Sequence, residues 1–139
     1  MEPNEQIDEG GPIKVVIDSY EAIKNREMDR LSELHVERGY SRFNDLPPLE
    51  LSGYEEAIRI KRSLMTQLAD FNYQLKILDA MVIDNVAVVI YEVEYGGMLV
   101  YNYRFEGQLF SVRSRCTTIL VKEGKSWKIL HEHLSRMTD

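Results

Sequence analysis

Cysteine is almost absent from this chain of 139 residues, where Cys116 stands alone. No internal disulfide and no CxxC redox or zinc motif can therefore form. Bases are outnumbered by acids, 17 against 23, for a formal charge of −6. A nucleic-acid binder needs a basic face to neutralise phosphates, so no nucleic-acid partner is expected. No apolar run approaches the roughly 20 residues that cross a bilayer, and no charged-then-apolar leader opens the chain. The expectations are a cytoplasmic location and no membrane partner. Proline occurs four times, twice as the adjacent pair Pro47-Pro48, which argues against a central strand there.

What is present is an ordinary globular composition, 44% hydrophobic and 29% charged, in a length that suits one domain. Residues 1–60 hold 14 acids and 7 bases and residues 61–139 hold 9 and 10, so the negative charge sits in the first half. Residues 1–12 have too few apolar side chains to offset their ordering entropy and are expected to form a flexible acidic tail, leaving 13–139 as a single domain. Ile13, Val16, Ile17, Tyr20 and Ile23 follow the spacing of one buried helix face. Asp29 is positioned to cap a short second helix that stops near Gly39, and Tyr40 to Leu51 is expected to form a small hairpin or irregular cover. Ser52 and Glu55 are spaced as a capping box for a third helix with Tyr54, Ala57, Ile58, Lys61, Met65 and Leu68 on one face. Lys61 is the odd member, expected to lay its stem on apolar surface with its charge outside.

After Asp70 the period becomes that of strands: 71–83, 85–95 continuing through 98–105, 109–122 and 126–135, with turns at Asp84-Asn85, Glu106-Gly107-Gln108 and Glu123-Gly124-Lys125. Gly96-Gly97 is expected to bend one long strand rather than end it. Helices followed by an antiparallel meander give an α+β fold with the helices on one face of the sheet. Ala87, Val89, Tyr91, Val93 and Tyr95 form a charge-free face that should meet the helices.

The last strand carries the candidate chemistry. By alternation Trp127, Ile129, His131, His133 and Ser135 share one face. A three-residue turn at Glu123–Lys125 would set Thr117 opposite His131, Arg115 opposite His133 and Arg113 opposite Ser135, all facing inward. Two imidazoles and a guanidinium in a pocket suit proton transfer and stabilisation of negative charge, which makes His133, His131 and Arg115 the catalytic candidates. Tyr20, Tyr91, Thr117, Trp127 and Ser135 are the candidate ligand-binding wall. Leu120, Leu130 and Leu134 would then face outward as dimer surface. Two histidines at alternate positions want a third ligand to hold a metal, and Glu132 points to the opposite face; no metal and no cofactor are expected.

Several blocks resemble one family. IxxYxxAIxxREMD in the opening helices, LxGYEEAI at the third helix, DNVAVV in a strand and above all RCTTILVKEGKSWKILHEHLS at the end are similar to SnoaL-like domains of the nuclear transport factor 2-like, ketosteroid isomerase-like superfamily, over about residues 13–135. The resemblance implies a cone-shaped α+β barrel, a curved antiparallel sheet wrapped around three N-terminal helices with a pocket inside, and a homodimer formed through the outer sheet face. Superfamily members include isomerases, cyclases and dehydratases that work without a cofactor, and also modules with no catalysis, so the fold is better fixed than the function. The isomerases' general-base aspartate and oxyanion donors have no unambiguous counterpart in this chain. Two readings stay open: a protein that binds, or acts by proton transfer on, a small hydrophobic oxygenated molecule, and a non-catalytic ligand-binding or dimerisation module.

Overall fold

The computed structural model describes residues 11–47, 49–101 and 106–137; the acidic tail and the end of the expected 98–105 strand lie largely outside these. Helix α1 spans Pro12–Lys24, with the proline in its first turn, where the missing N–H costs nothing. It buries Ile13, Val16, Tyr20 and Ile23 as the spacing required, with Ile17 half-buried. Its end is a Schellman-type turn: Arg26 adopts φ 59°, its N–H bonds Ile23 O at 3.2 Å, and the Glu27 N–H bonds Ala22 O at 2.8 Å. Helix α2 is Met28–Glu33; Asp29 lies in its first turn without a capping bond, and Gly39 lies beyond its end.

Helix α3, Tyr54–Gln67, starts from Gly53 rather than from a Ser52 box. Ser52 belongs to β2 (Leu51–Ser52), which pairs antiparallel with β1 (Ser41–Phe43). The remaining strands are β3 (Leu68–Ile83), β4 (Val86–Tyr101), β5 (Glu106–Glu123) and β6 (Ser126–Arg136), giving one sheet in the order β2-β1-β6-β5-β4-β3. Among the described strands all pairings are antiparallel except β1 with β6, and the isolated bridge of His35 to Ile129 is also parallel. The structure is α+β, with α1 and α3 packed on one sheet face.

Gly96-Gly97 continues β4 in register with β5. The extra residue sits on the neighbour β3, between Ala69 and Asn72. Glycine is needed here for closeness: a Cβ on Gly96 would lie 2.0 Å from Phe110 O, and one on Gly97 2.6 Å from Ala69 O. Glu106, Gly107 and Gln108 are paired strand rather than turn.

The last hairpin corrects the expected register in two places. Its turn has two residues, since Glu123 pairs with Ser126, so Lys122 faces Trp127 with its ammonium 5.8 Å from the indole centroid. A bulge follows: Ile119 pairs with His131 and Leu120 with Ile129, leaving Leu130 as an extra residue on β6. It falls where β6 changes partners, from residues 34–36 (Val36 N–H to Ile129 O, 3.0 Å) to β1. Trp127 and Ile129 point inward as expected. Beyond the bulge Glu132 and Leu134 are buried, and His131, His133 and Ser135 turn to the outer face. On β5 the inner set is Val112, Ser114, Cys116, Thr118 and Leu120, so Arg115 and Thr117 are also outward. Leu120 and Leu134 lie in the core, not on an outer surface.

Candidate functional site

Five buried polar side chains converge between α3, β1 and β6. Glu132 leads into the interior because of the Leu130 bulge, and Arg42 joins it because β1 adds parallel to β6 with Arg42 paired to Glu132. Lys61 comes from the apolar stripe of α3, and His35 and Tyr40 from the segment between α2 and β1. All five are buried, Glu132 to 2% and Lys61 and His35 to 3% exposure. Lys61 therefore does not carry its charge outside; its stripe position drives it into the core.

The carboxylate of Glu132 is fully occupied. Its Oε1 accepts from Lys61 Nζ at 2.6 Å and from Tyr40 OH at 2.5 Å, while Oε2 faces Arg42 Nη1 at 3.2 Å. His35 Nδ1 lies 2.7 Å from Leu31 O. A carbonyl only accepts, so Nδ1 carries the ring proton, and Nε2 accepts from Lys61 Nζ at 2.9 Å. Arg42 donates through Nε to Asn44 Oδ1 at 2.8 Å, and Asn44 donates to Ser52 Oγ at 3.0 Å. A second interior carboxylate, Asp45, accepts from Tyr95 OH at 3.0 Å and Ser114 Oγ at 2.6 Å. Among the described residues no buried side-chain polar atom lacks a partner.

These surroundings set the protonation states. Burial alone would raise Glu132, but Lys61 and Arg42 overcome it and hold the carboxyl well below its ordinary value. Burial lowers Lys61 to about 8, with Glu132 opposing the shift. Burial, aided by the Lys61 charge, lowers His35 and keeps the ring neutral. The interior phenols Tyr20, Tyr40, Tyr91 and Tyr95 are all pushed up by burial, and Cys116 rises to about 12. Lys61 is thus the interior group whose proton can move close to neutrality.

A cavity of about 20 Å³ adjoins the cluster, bordered by Arg42, Lys61 and Glu132 on one side and by Tyr20, Ile23, Leu64 and Phe71 on the other. That is room for about one water, not the several hundred Å³ that a closed ligand pocket occupies. Ile23 and Phe71 also line an outer groove of about 500 Å³ beside Arg26, Met65 and Asp70. These two side chains stand between the groove and the interior. Another groove, about 540 Å³, runs over the other side of His35 among Glu33, Glu37, Arg38 and Lys128, and is charged and open.

Of the residues singled out from sequence, Tyr20 and Tyr91 lie inside, their hydroxyls 3.1 Å apart, with Tyr91 also 3.3 Å from Thr118 Oγ1. Tyr20 borders the cavity, and Trp127 is core beneath Lys122. His131, His133, Arg115, Thr117 and Ser135 share the outer face. There His131 Nδ1 bonds Ser41 Oγ at 2.8 Å, and His133 packs against Phe43 with centroids 5.1 Å apart. Sequence reasoning missed Glu132, Arg42 and His35. The available signal was Lys61, a cation in an apolar stripe, which requires a buried anion somewhere.

A family described as SnoaL-like domain matches residues 13–139. No curated protein matches. Among solved structures, a protein of Streptomyces avermitilis provisionally named a dehydratase of the nuclear transport factor 2-like family is 19% identical, with TM-score 0.74 over 99% of this chain and 100% of that one. A ketosteroid isomerase-like protein from Erwinia carotovora atroseptica is 13% identical, with TM-score 0.67 over 91% and 93%. A nuclear transport factor 2-like superfamily protein from Salmonella enterica is 15% identical, with TM-score 0.68 over 91% and 88%. At these identities the likeness is one of fold.

Proposed function

This chain belongs to the SnoaL-like domain family, and from that premise we propose that it is a pocket protein receiving a small, mostly apolar, oxygenated molecule whose polar end meets Lys61, Arg42 and Glu132. The observation that carries this reading is the burial of a lysine, an arginine and a glutamate at the border of one cavity, with a buried histidine bonded to the lysine behind them. A core needs no such group: apolar residues of equal volume are often as stable or more so, and perturbed titratable clusters in cavities mark functional sites. Arg42 supplies donors for an oxygen that gains negative charge, and Lys61 supplies or takes the proton. The names of two similar structures, a provisionally assigned dehydratase and a ketosteroid isomerase-like protein, support a small oxygenated molecule. Ligand reaches the cluster when Ile23 and Phe71 move aside and join the interior to the outer groove.

Mass spectrometry on protein purified without denaturation tests this directly, together with methyl NMR of Ile23 and Leu64 during titration with apolar alcohols and ketones. Bound ligand, or shifts at both methyl groups, is the expected result, with Phe71→Ala raising the association rate. Absence of both in the native protein and in Phe71→Ala would refute the pocket.

A second reading has its own observation. Met81, Ile83, Val86 and Ile90 are exposed on the outer face of β3 and β4, beside the face that holds His131, His133, Arg115, Thr117 and Ser135. We infer a homodimer through this face, with those residues at or near its border; sedimentation velocity decides it.

A further inference from the structure

The interior holds several groups that are nucleophilic when deprotonated, and their surroundings separate them. Tyr20, Tyr91, Tyr95 and Cys116 are all pushed away from neutrality by burial. Lys61 alone moves toward it, to about 8 from 10.5. Its geometry suits the neutral amine. Nζ contacts two acceptors, Glu132 Oε1 at 2.6 Å and His35 Nε2 at 2.9 Å. A neutral amine has two N–H bonds, enough to keep both contacts, and its lone pair is then left over. Deprotonation leaves Glu132 paired with Arg42 at 3.2 Å, so the carboxylate keeps a cationic partner. The remaining wall of the cavity that Lys61 borders is mostly apolar and aromatic, Tyr20, Ile23, Leu64, Phe71, Tyr95 and Leu134, with Ser19 beside them.

We propose that Lys61 is an imine-forming lysine that condenses reversibly with an apolar aldehyde or ketone bound in the interior cavity. This rests on the pocket reading above. The Nζ lone pair attacks the carbonyl carbon as the C=O π pair moves to oxygen, which takes up a proton and gives a carbinolamine. The nitrogen loses its two protons in turn through the neighbouring acceptors Glu132 and His35; these account for the two protons that the oxygen takes up, the second as the nitrogen lone pair forms C=N, the C–O bond breaks and water leaves. The products are C=N–Lys61 and one water, and nothing is oxidised or reduced. Arg42, ion-paired with Glu132 at 3.2 Å, borders the same cavity and is the cation available to the carbonyl oxygen as it develops charge.

Benzaldehyde with cyanoborohydride, which reduces an imine to a stable secondary amine, provides the test, read by peptide mapping of every lysine across pH 6 to 10. At pH 7 a group with pKa near 8 is about one-tenth neutral, while an ordinary lysine is below about one-thousandth. Benzylation at Lys61 at least tenfold faster than at the exposed Lys24, Lys76, Lys122 and Lys125, with a midpoint near pH 8, is the expected result. Benzyl alcohol, which has the ring but no carbonyl, is titrated in parallel by methyl NMR of Ile23 and Leu64. If it binds and Lys61 is labelled no faster than the exposed lysines, in both the native protein and Phe71→Ala, imine formation is wrong and the pocket stands. If benzyl alcohol does not bind either protein and no Lys61 adduct forms, the pocket reading falls and the imine with it.

Discussion

Glu132 is the residue on which the interior depends, because it is the carboxylate that balances Lys61 directly and Arg42 at 3.2 Å. Glu132→Gln leaves two cations in low dielectric and should cost about 3–5 kcal/mol in urea unfolding, the range for breaking a buried pair from one side. Adding Lys61→Met should recover part of that loss, and a double change that is merely additive would show that the two side chains do not interact. The same cluster sets an acid limit. His35 is lowered in the folded chain, so the unfolded state binds more protons below about pH 6.5 and stability falls with acidification. Glu132, also lowered, adds a second loss as pH drops below about 4.3. Lys61 acts in the other window: lowered from 10.5 to about 8, it makes stability rise with pH between those values. The urea midpoint should therefore begin to fall just below pH 6.5, and His35→Asn should remove that first step while leaving the lower one.

At the scale of the element, the Leu130 bulge decides what the last strand presents. Strict alternation places Trp127, Ile129, His131, His133 and Ser135 on one face, and the first two are indeed inside. One inserted residue reverses every later side chain. A bulge of this kind leaves little trace in the β6 sequence itself, since it arises where the strand passes from one neighbouring segment to another. The glycine pair in β4 is the opposite case, legible because glycine is rare inside strands. Gly96→Ala would set a methyl against Phe110 O, a backbone atom rather than the end of a flexible side chain. It should cost about 2 kcal/mol or more in thermal or urea unfolding, in the manner of overpacking; a change under about 0.5 kcal/mol would mean the strands separate there readily.

For the whole molecule, the outer sheet face carries Met81, Ile83, Val86 and Ile90 in water, more exposed apolar area in one place than scattered surface residues give. If copies meet there, Ile90→Glu should convert a dimer to a monomer at micromolar concentration in sedimentation velocity while leaving the β3–β4 pairing intact. An unchanged sedimentation coefficient would place the interface elsewhere. The α+β class, the helix faces of α1 and α3 and the inward tyrosines of β4 were legible from residue order, because each depends on the 3.6- or 2-residue period that local backbone geometry imposes. Lys61 was visible as an anomaly but its partner was not. Which residues surround it depended on two events remote in sequence: β1 adding parallel to β6, which sets Arg42 beside Glu132, and the bulge that turns Glu132 inward. The order of residues fixes periodicity, since that is local; the company a buried charge keeps is decided by strand pairing between segments some 90 residues apart, and only the folded sheet supplies it.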